Sequence, residues 1–125
     1  MIVLDTSVLI DALTGPQRSA PALRRAIEAG ERLLLPAIVA YEWLRGPRIE
    51  AELAAQEALL PSEQALPFGP AEAAAAADLY GAVDEPRGRE VDIAIAAHGV
   101  VLGAGVWTLN VDDFADLPGV DLFRS

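Results

Sequence analysis

The sequence contains no cysteine and no lysine, and it has a single histidine, His98. Without cysteine the chain can form neither disulfide bonds nor a thiolate metal site, and one histidine excludes a histidine-rich zinc site. No apolar run approaches the roughly 20 residues that a membrane-spanning helix needs, and no signal peptide opens the chain. From these absences we expect a cytoplasmic protein with no membrane segment.

Basic residues are scarce in general. Nineteen acidic residues face nine basic ones, all of them arginine, which gives a formal net charge of −10. This balance argues against a protein that coats nucleic acid through a basic face. Two interpretations of the acidity remain open: it keeps a small apolar protein soluble, or part of it is a carboxylate cluster that requires a metal cation.

The order of apolar segments predicts one α/β domain spanning residues 1–125. Hydrophobic residues make up 53% of the chain, which is enough for a proper core. Helices are predicted from Thr6, over Ser19–Ala29, Ala37–Gly46, Ile49–Leu60 and Pro70–Val83, and over Arg89–Leu102. Strands are predicted at Met1–Leu4, Leu33–Leu35 and Val106–Leu109, with a weak segment at Ala65–Phe68 and a last one at Val120–Phe123. This alternation predicts a mainly parallel sheet of four or five strands with helices on both faces.

Acidic groups stand where such a sheet would bring them together. Asp5 follows the first strand, and the segment 110–113 follows the strand at Val106, so both lie at carboxyl ends of strands, where open α/β sheets bind ligands. Glu42 and Asp92 lie on helices that can lean over the same edge. Carboxylates without histidine select Mg²⁺ or Mn²⁺. Local alternatives are an ion pair of Glu42 with Arg45 and a helix-dipole role for Asp92.

These acidic positions fall in four stretches that resemble the PIN-domain family, and within it the small VapC-type toxins of toxin–antitoxin pairs. The stretches are Leu4–Ile10, Glu42 with Leu44 and Gly46, Asp92–Ala97, and Thr108–Phe114. The resemblance extends over essentially the whole chain and implies a PIN-like three-layer α/β/α sandwich. Each stretch alone is weak evidence, whereas four in this order and at these separations are specific.

The resemblance implies a Mg²⁺- or Mn²⁺-dependent endoribonuclease. Asp5, Glu42 and Asp92 match the acidic site residues of the family, and the fourth metal position is Asn110, Asp113 or both. Asn110 stands where many members have aspartate, which removes one charge and motivates the alternative of a catalytically weak or inactive PIN-like binding module. The resemblance further implies an RNA substrate, a VapB-type antitoxin and a homodimer. The apolar helices around Trp43 and Leu53–Leu60 are candidate contacts for the antitoxin and for self-association, and the alternative is that these residues face the core.

Several polar side chains near these positions are candidates for contacts with substrate phosphates. They are Thr6, Ser7, Arg45, Arg87 and Arg89. For the two hydroxyls the alternatives are helix capping and a hydrogen bond to Asp5; for the arginines the alternative is pairing with nearby glutamates at 50, 52, 85 and 90. His98 is predicted to be a packing or surface residue of its helix and not a catalytic base.

Two other small α/β folds that carry aspartates at strand ends are excluded, because the chain lacks residues that their chemistry requires. A phosphotransfer receiver domain needs a lysine beside its acidic site, and the chain has no lysine. A phosphatase of the haloacid dehalogenase type needs Asp-x-Asp after the first strand, whereas Asp5 is followed by Thr6 and Ser7.

Overall fold

A parallel sheet of three short strands lies at the centre of the computed structural model, which describes residues 1–125. The middle strand is β1 (Ile2–Leu4), flanked by β2 (Leu33–Leu34) and β3 (Gly105–Trp107) in the order β2-β1-β3. Leu4 lies opposite Trp107 in the register between β1 and β3. The residues that follow these two partners therefore leave the sheet side by side at its carboxyl edge.

Six helices connect and cover the strands, as parallel strands require crossover connections. They are α1 (Thr6–Leu13), α2 (Ala20–Glu28), α3 (Ala37–Arg45), α4 (Glu50–Leu59), α5 (Pro70–Ala82) and α6 (Glu90–Leu102). Gly103, with φ of +63°, ends α6 in the left-handed conformation that glycine adopts without strain. No helix has the length and apolar character to cross a membrane.

The core encloses the sheet from both sides. Ile2, Val3 and Leu4 are at most 1% exposed. Since successive side chains of a strand point to opposite faces, helices must cover both faces of β1. Gly99 of α6 lies so close to the sheet that an added Cβ would stand 2.7 Å from a methyl carbon of Val106. The α/β class and the parallel sheet predicted from the sequence are confirmed.

The predicted number of four or five strands is wrong, because the sheet has three. The segment at Ala65–Phe68 contributes a single parallel bridge from Leu66 to Pro36, and Pro67 has no N–H with which to continue the ladder. The segment at Val120–Phe123 contributes one bridge from Leu122 to Val106, directly after a turn at Gly119. Both segments lie in predicted places but do not become strands.

Helix α3 has an exposed apolar face, although apolar residues lie around most of its circumference. Trp43 is fully buried, but Tyr41 and Leu44 are 59% and 52% exposed. Helix α3 packs against α1 and α6, and its remaining face is free in the monomer. Of the predicted contact residues between subunits, Trp43 and Leu60 face the core instead.

Candidate active site

Asp5 occupies the junction between β1 and α1 at the carboxyl edge of the sheet. Its backbone N–H donates to the carbonyl of Trp107 at 2.9 Å, which fixes the junction to β3. The residue is 3% exposed. None of the three ion pairs of the chain involves Asp5, so this buried carboxylate has no cationic partner.

Two hydroxyl groups hold one oxygen of the Asp5 carboxylate. Ser7 Oγ and Thr108 Oγ1 donate to Asp5 Oδ2 at 2.8 and 2.7 Å. Both hydroxyls are themselves oriented, because the Leu109 N–H donates to Ser7 Oγ at 3.0 Å and the Asn110 N–H donates to Thr108 Oγ1 at 2.9 Å. The arrangement uses Oδ2 and leaves Oδ1 for another partner.

Glu42, on α3, is held in a comparable way. Thr6 Oγ1 donates to Glu42 Oε1 at 2.6 Å, and Arg45 Nη2 approaches Oε2 at 3.4 Å. The guanidinium of Arg45 also lies over the ring of Tyr41, 5.2 Å from its centroid. The local ion pair considered from the sequence is therefore present, although it is long and exposed.

Asp92 lies in the first turn of α6, and the pKa of its carboxyl is shifted by its surroundings. Burial raises the pKa of its carboxyl to about 6 from the ordinary 3.8, and repulsion from Asp5, Asp113 and Glu42 contributes in that order. Arg89 opposes the increase. The four carboxylates therefore share one electrostatic environment, although they come from positions 5, 42, 92 and 113 of the chain.

The segment after β3 brings the last two candidates. Asn110 precedes a 3₁₀ turn at Val111–Asp113, and the Asp113 N–H donates to the carbonyl of Asn110 at 3.0 Å. Both side chains are exposed. Asp113 acts on the pKa of Asp92, whereas its neighbour Asp112 is not among the groups that do. Of the two aspartates in this turn, Asp113 is therefore the one whose charge acts on Asp92.

The residues proposed as phosphate contacts have different surroundings. Neither Thr6 nor Ser7 caps α1, since their hydroxyls are engaged by carboxylates and Asp5 itself is the N-cap residue. Arg89 pairs with Asp116, not with a neighbouring glutamate, at 2.6 Å. Arg87 is exposed and takes part in none of the ion pairs.

His98 lies on α6 outside this network. It is 2% exposed, and its ring packs edge-on against Phe68 with 6.1 Å between centroids. Burial lowers the pKa of its imidazole, and Glu72 partly opposes this. The histidine is a packing residue.

The donor set of the site suits a hard cation. All its side-chain donors are oxygens, with no sulfur or imidazole, and Asp5 offers a free oxygen. No three acidic or histidine side chains stand close enough to form a complete ligand group by themselves. Mg²⁺ commonly keeps several waters and binds through only one or two carboxylates, so such an ion fits these residues without a complete protein cage.

Known proteins match this chain in sequence and in fold. The family model for the PIN domain matches residues 2–120. The chain belongs to the PIN-domain family. Ribonuclease VapC19 of Mycobacterium tuberculosis is 32% identical to this PIN domain over 94% of the chain and 95% of its own length.

Solved structures share the fold of this PIN domain. VapBC2 of Rickettsia felis bound to promoter DNA matches with a TM-score of 0.74 and 17% identity, covering 100% of this chain and 99% of that one. FitAcB of Neisseria gonorrhoeae gives a TM-score of 0.74 at 22% identity, covering 99% and 97%. DNA-bound VapBC of Salmonella typhimurium gives 0.73 at 20% identity, covering 98% and 96%.

The sequence did not predict the hydrogen bond from Thr108 to Asp5, or the forked ion pair between Arg89 and Asp116. Thr108 follows a strand that pairs with β1, so its place beside Asp5 was implicit in the sheet order. That order is not written in the sequence. The partner of Arg89 lies 27 residues away, beyond the reach of local pairing rules.

Proposed function

We propose that this PIN domain is a divalent-metal-dependent endoribonuclease and the toxin of a VapBC-type toxin–antitoxin pair. The observation that supports it best is the convergence of four carboxylates: burial raises the pKa of Asp92 to about 6, and repulsion from Asp5, Asp113 and Glu42 contributes to the rise. A cluster of uncompensated negative charge is costly unless a cation binds it. The identity to ribonuclease VapC19 over nearly the full length supports the choice of RNA as substrate.

In this proposal Asp5 and Asp92 would bind the Mg²⁺ or Mn²⁺ ion directly, while Glu42 and Asp113 would interact with it through bound waters, Glu42 also orienting the attacking water. Asn110 contributes a neutral oxygen at the same edge. The ion, when bound, lowers the pKa of a water and stabilises negative charge on the phosphate. Ser7 and Thr108 keep the Asp5 carboxylate in one orientation, and Thr6 does the same for Glu42.

Access for RNA to an acidic protein requires local positive charge. Arg45 and Arg87 are exposed, and Arg45 stands beside Glu42 at the site. We assign these two arginines, which engage no buried group, to transient phosphate contacts. Arg45 can exchange its long contact to Glu42 for a phosphate oxygen at little cost, because exposed ion pairs contribute about 0–1 kcal/mol.

The decisive experiment measures RNA cleavage in Mg²⁺, Mn²⁺ or EDTA by the wild type and by Asp5→Asn, Asp92→Asn and Asp113→Asn. Asp112→Asn serves as a matched control in the same turn. We expect metal-dependent cleavage that the first three substitutions abolish and the control retains. Cleavage that survives EDTA, or that is equal in all variants, refutes the nuclease and leaves a PIN-like binding module.

The antitoxin is proposed to occupy an apolar groove between α1, α2 and α4. The groove has a volume of about 570 Å³, and its lining includes Leu13, Leu23, Ile27, Ile49 and Leu59. Ile27 and Ile49 are 42% and 65% exposed, which is unusual for large aliphatic side chains. VapBC structures among the similar folds are complexes of two proteins, which supports an antitoxin segment as the occupant.

Co-expression with a VapB-type antitoxin tests this surface. Ile49→Glu should prevent the complex while RNA cleavage by the free protein is retained, because Ile49 is not part of the acidic site. Ile49→Val is the conservative control. A complex that forms unchanged with Ile49→Glu rules out the groove.

Sedimentation of the free protein tests the predicted homodimer, for which the exposed Tyr41 and Leu44 of α3 are the candidate contacts.

A further inference from the structure

Arg89 connects two chain segments that carry proposed metal ligands. It directly precedes α6, three residues before Asp92, and only 21% of its side chain is exposed. Its Nη1 and Nη2 atoms donate to Asp116 Oδ2 and Oδ1 at 3.0 and 2.6 Å. Nη2 also donates to the backbone carbonyl of Asp113 at 2.8 Å. The guanidinium thus joins the start of α6 to the turn after β3.

The turn has few other attachments near its acidic residue. Phe114, which follows the turn, is fully buried in the core and holds that end of the segment, while the side chains of Asn110 and Asp113 are exposed. The Asp113 N–H is bonded to Asn110, so the Arg89 contact to the Asp113 carbonyl completes the backbone bonding of that residue. The Arg89 contacts are the side-chain hydrogen bonds that join the start of α6 to this turn.

We infer that Arg89 is a positioning residue, which places Asp113 against Asp92 through the clamp on Asp116 and does not itself bind substrate. The inference rests on the proposed function, because it concerns how that acidic site is assembled. To bind a phosphate, Arg89 would have to leave a two-pronged ion pair and a carbonyl bond together. Such forked charge-assisted pairs are among the stronger polar contacts in proteins.

The clamp makes a prediction about Asp116 that a phosphate-binding role does not. If Arg89 acts through Asp116, then Arg89→Gln and Asp116→Asn both break the forked ion pair and both weaken the metal site, although Asp116→Asn leaves the bond from Arg89 to the Asp113 carbonyl. If Arg89 binds phosphate, Asp116→Asn frees the guanidinium, so cleavage stays normal or improves. Asp116 is 53% exposed and is not among the carboxylates that act on Asp92, so its replacement by asparagine tests the clamp without removing a proposed metal ligand.

The experiment compares wild type, Arg89→Gln, Asp116→Asn, the double variant and Arg89→Lys. Mn²⁺ affinity is measured by electron paramagnetic resonance of the free ion, and amide hydrogen exchange is measured for residues 109–117. We expect each single substitution to weaken Mn²⁺ binding by about 10-fold, a common loss for residues that support metal ligands. Amide exchange in the turn should accelerate, and the double variant should bind Mn²⁺ no more weakly than Arg89→Gln, which already lacks both contacts. Arg89→Lys should retain only part of the affinity, because lysine lacks the forked guanidinium.

Wild-type Mn²⁺ affinity and exchange in Asp116→Asn would overturn the inference, as would an Arg89→Gln variant that raises KM alone. If the wild type binds Mn²⁺ and all variants bind equally, the inference fails while the proposed function stands. If the wild type binds no Mn²⁺, the proposed function fails and this inference fails with it. Unchanged fluorescence of the buried Trp43 and Trp107 verifies that each variant is folded.

Discussion

Replacing Asp92 with asparagine is expected to stabilise the folded protein at neutral pH while it abolishes cleavage. The carboxyl of Asp92 has a pKa of about 6 in the fold against an ordinary 3.8. A carboxyl whose pKa is raised on folding binds more protons in the folded state, so stability falls as pH rises from about 4 through about 6. Above pH 7 Asp92 is ionised in the fold, and the resulting decrease in the free energy of unfolding is complete. Asparagine carries no charge and therefore removes this destabilisation.

The magnitude follows from that difference in pKa. Two pKa units correspond to at most about 3 kcal/mol, but Asp92 is only half-buried, so solvent screening reduces the effect to about 1 kcal/mol. Asparagine also loses the favourable interaction of a carboxylate with the helix N-terminus, which is about 0.3–1 kcal/mol. We therefore expect a net gain of up to about 0.7 kcal/mol at pH 7.5, and a smaller gain at pH 5, where much of the folded Asp92 is already neutral.

Urea unfolding followed by tryptophan fluorescence, in EDTA at pH 5 and 7.5, measures this gain. Glu90→Gln is the matched control, because Glu90 shares the first turn of α6 but is exposed. We expect the control to be neutral or slightly destabilising at both pH values. An Asp92→Asn variant that is less stable than wild type at pH 7.5, or that behaves like Glu90→Gln, would show that Asp92 serves the helix dipole and that the carboxylate cluster stores no repulsion.

Two further substitutions test the framework of the site. Thr108→Val removes a buried hydroxyl that donates to Asp5 at 2.7 Å; we expect a loss of about 1–3 kcal/mol in urea unfolding and at least tenfold slower RNA cleavage. Unchanged cleavage would refute the orienting role of Thr108. Gly99→Ala places a Cβ 2.7 Å from Val106 and should lower stability by about 1–3 kcal/mol, whereas Gly81→Ala on α5 meets nothing within 4 Å and should raise it by up to about 1 kcal/mol. Equal thermal midpoints for the two alanine variants would contradict the close packing of α6.

The sequence was sufficient for the fold class because the apolar runs are short and regularly separated by helical segments. It overestimated the sheet, since Leu66 and Leu122 look like strand residues in their local sequence yet each forms one bridge. Whether a segment has a neighbouring strand to pair with depends on the whole fold, and the local pattern of apolar residues does not reveal it. The same reason explains α3, where Tyr41 and Leu44 have the apolar character of core residues but lie on a free face.

The acidic candidates were accessible from the sequence because two of them follow strands, and parallel strands share a carboxyl edge. Their supporting contacts were not accessible. Thr108 reaches Asp5 across 103 positions, and Arg89 reaches Asp116 across 27. Spacing rules for helices and turns do not extend over such separations.

The supporting contacts also separate two kinds of carboxylate in this protein. Asp116 is neutralised by the guanidinium of Arg89, which lowers the pKa of its carboxyl, and a carboxylate paired in this way has little charge left for another cation. Asp5 is more deeply buried, yet its partners are the neutral hydroxyls of Ser7 and Thr108. Hydroxyls fix an orientation without cancelling the charge. A fold that pairs its outer aspartate with arginine and orients its inner one with hydroxyls keeps the negative charge where a metal ion can use it.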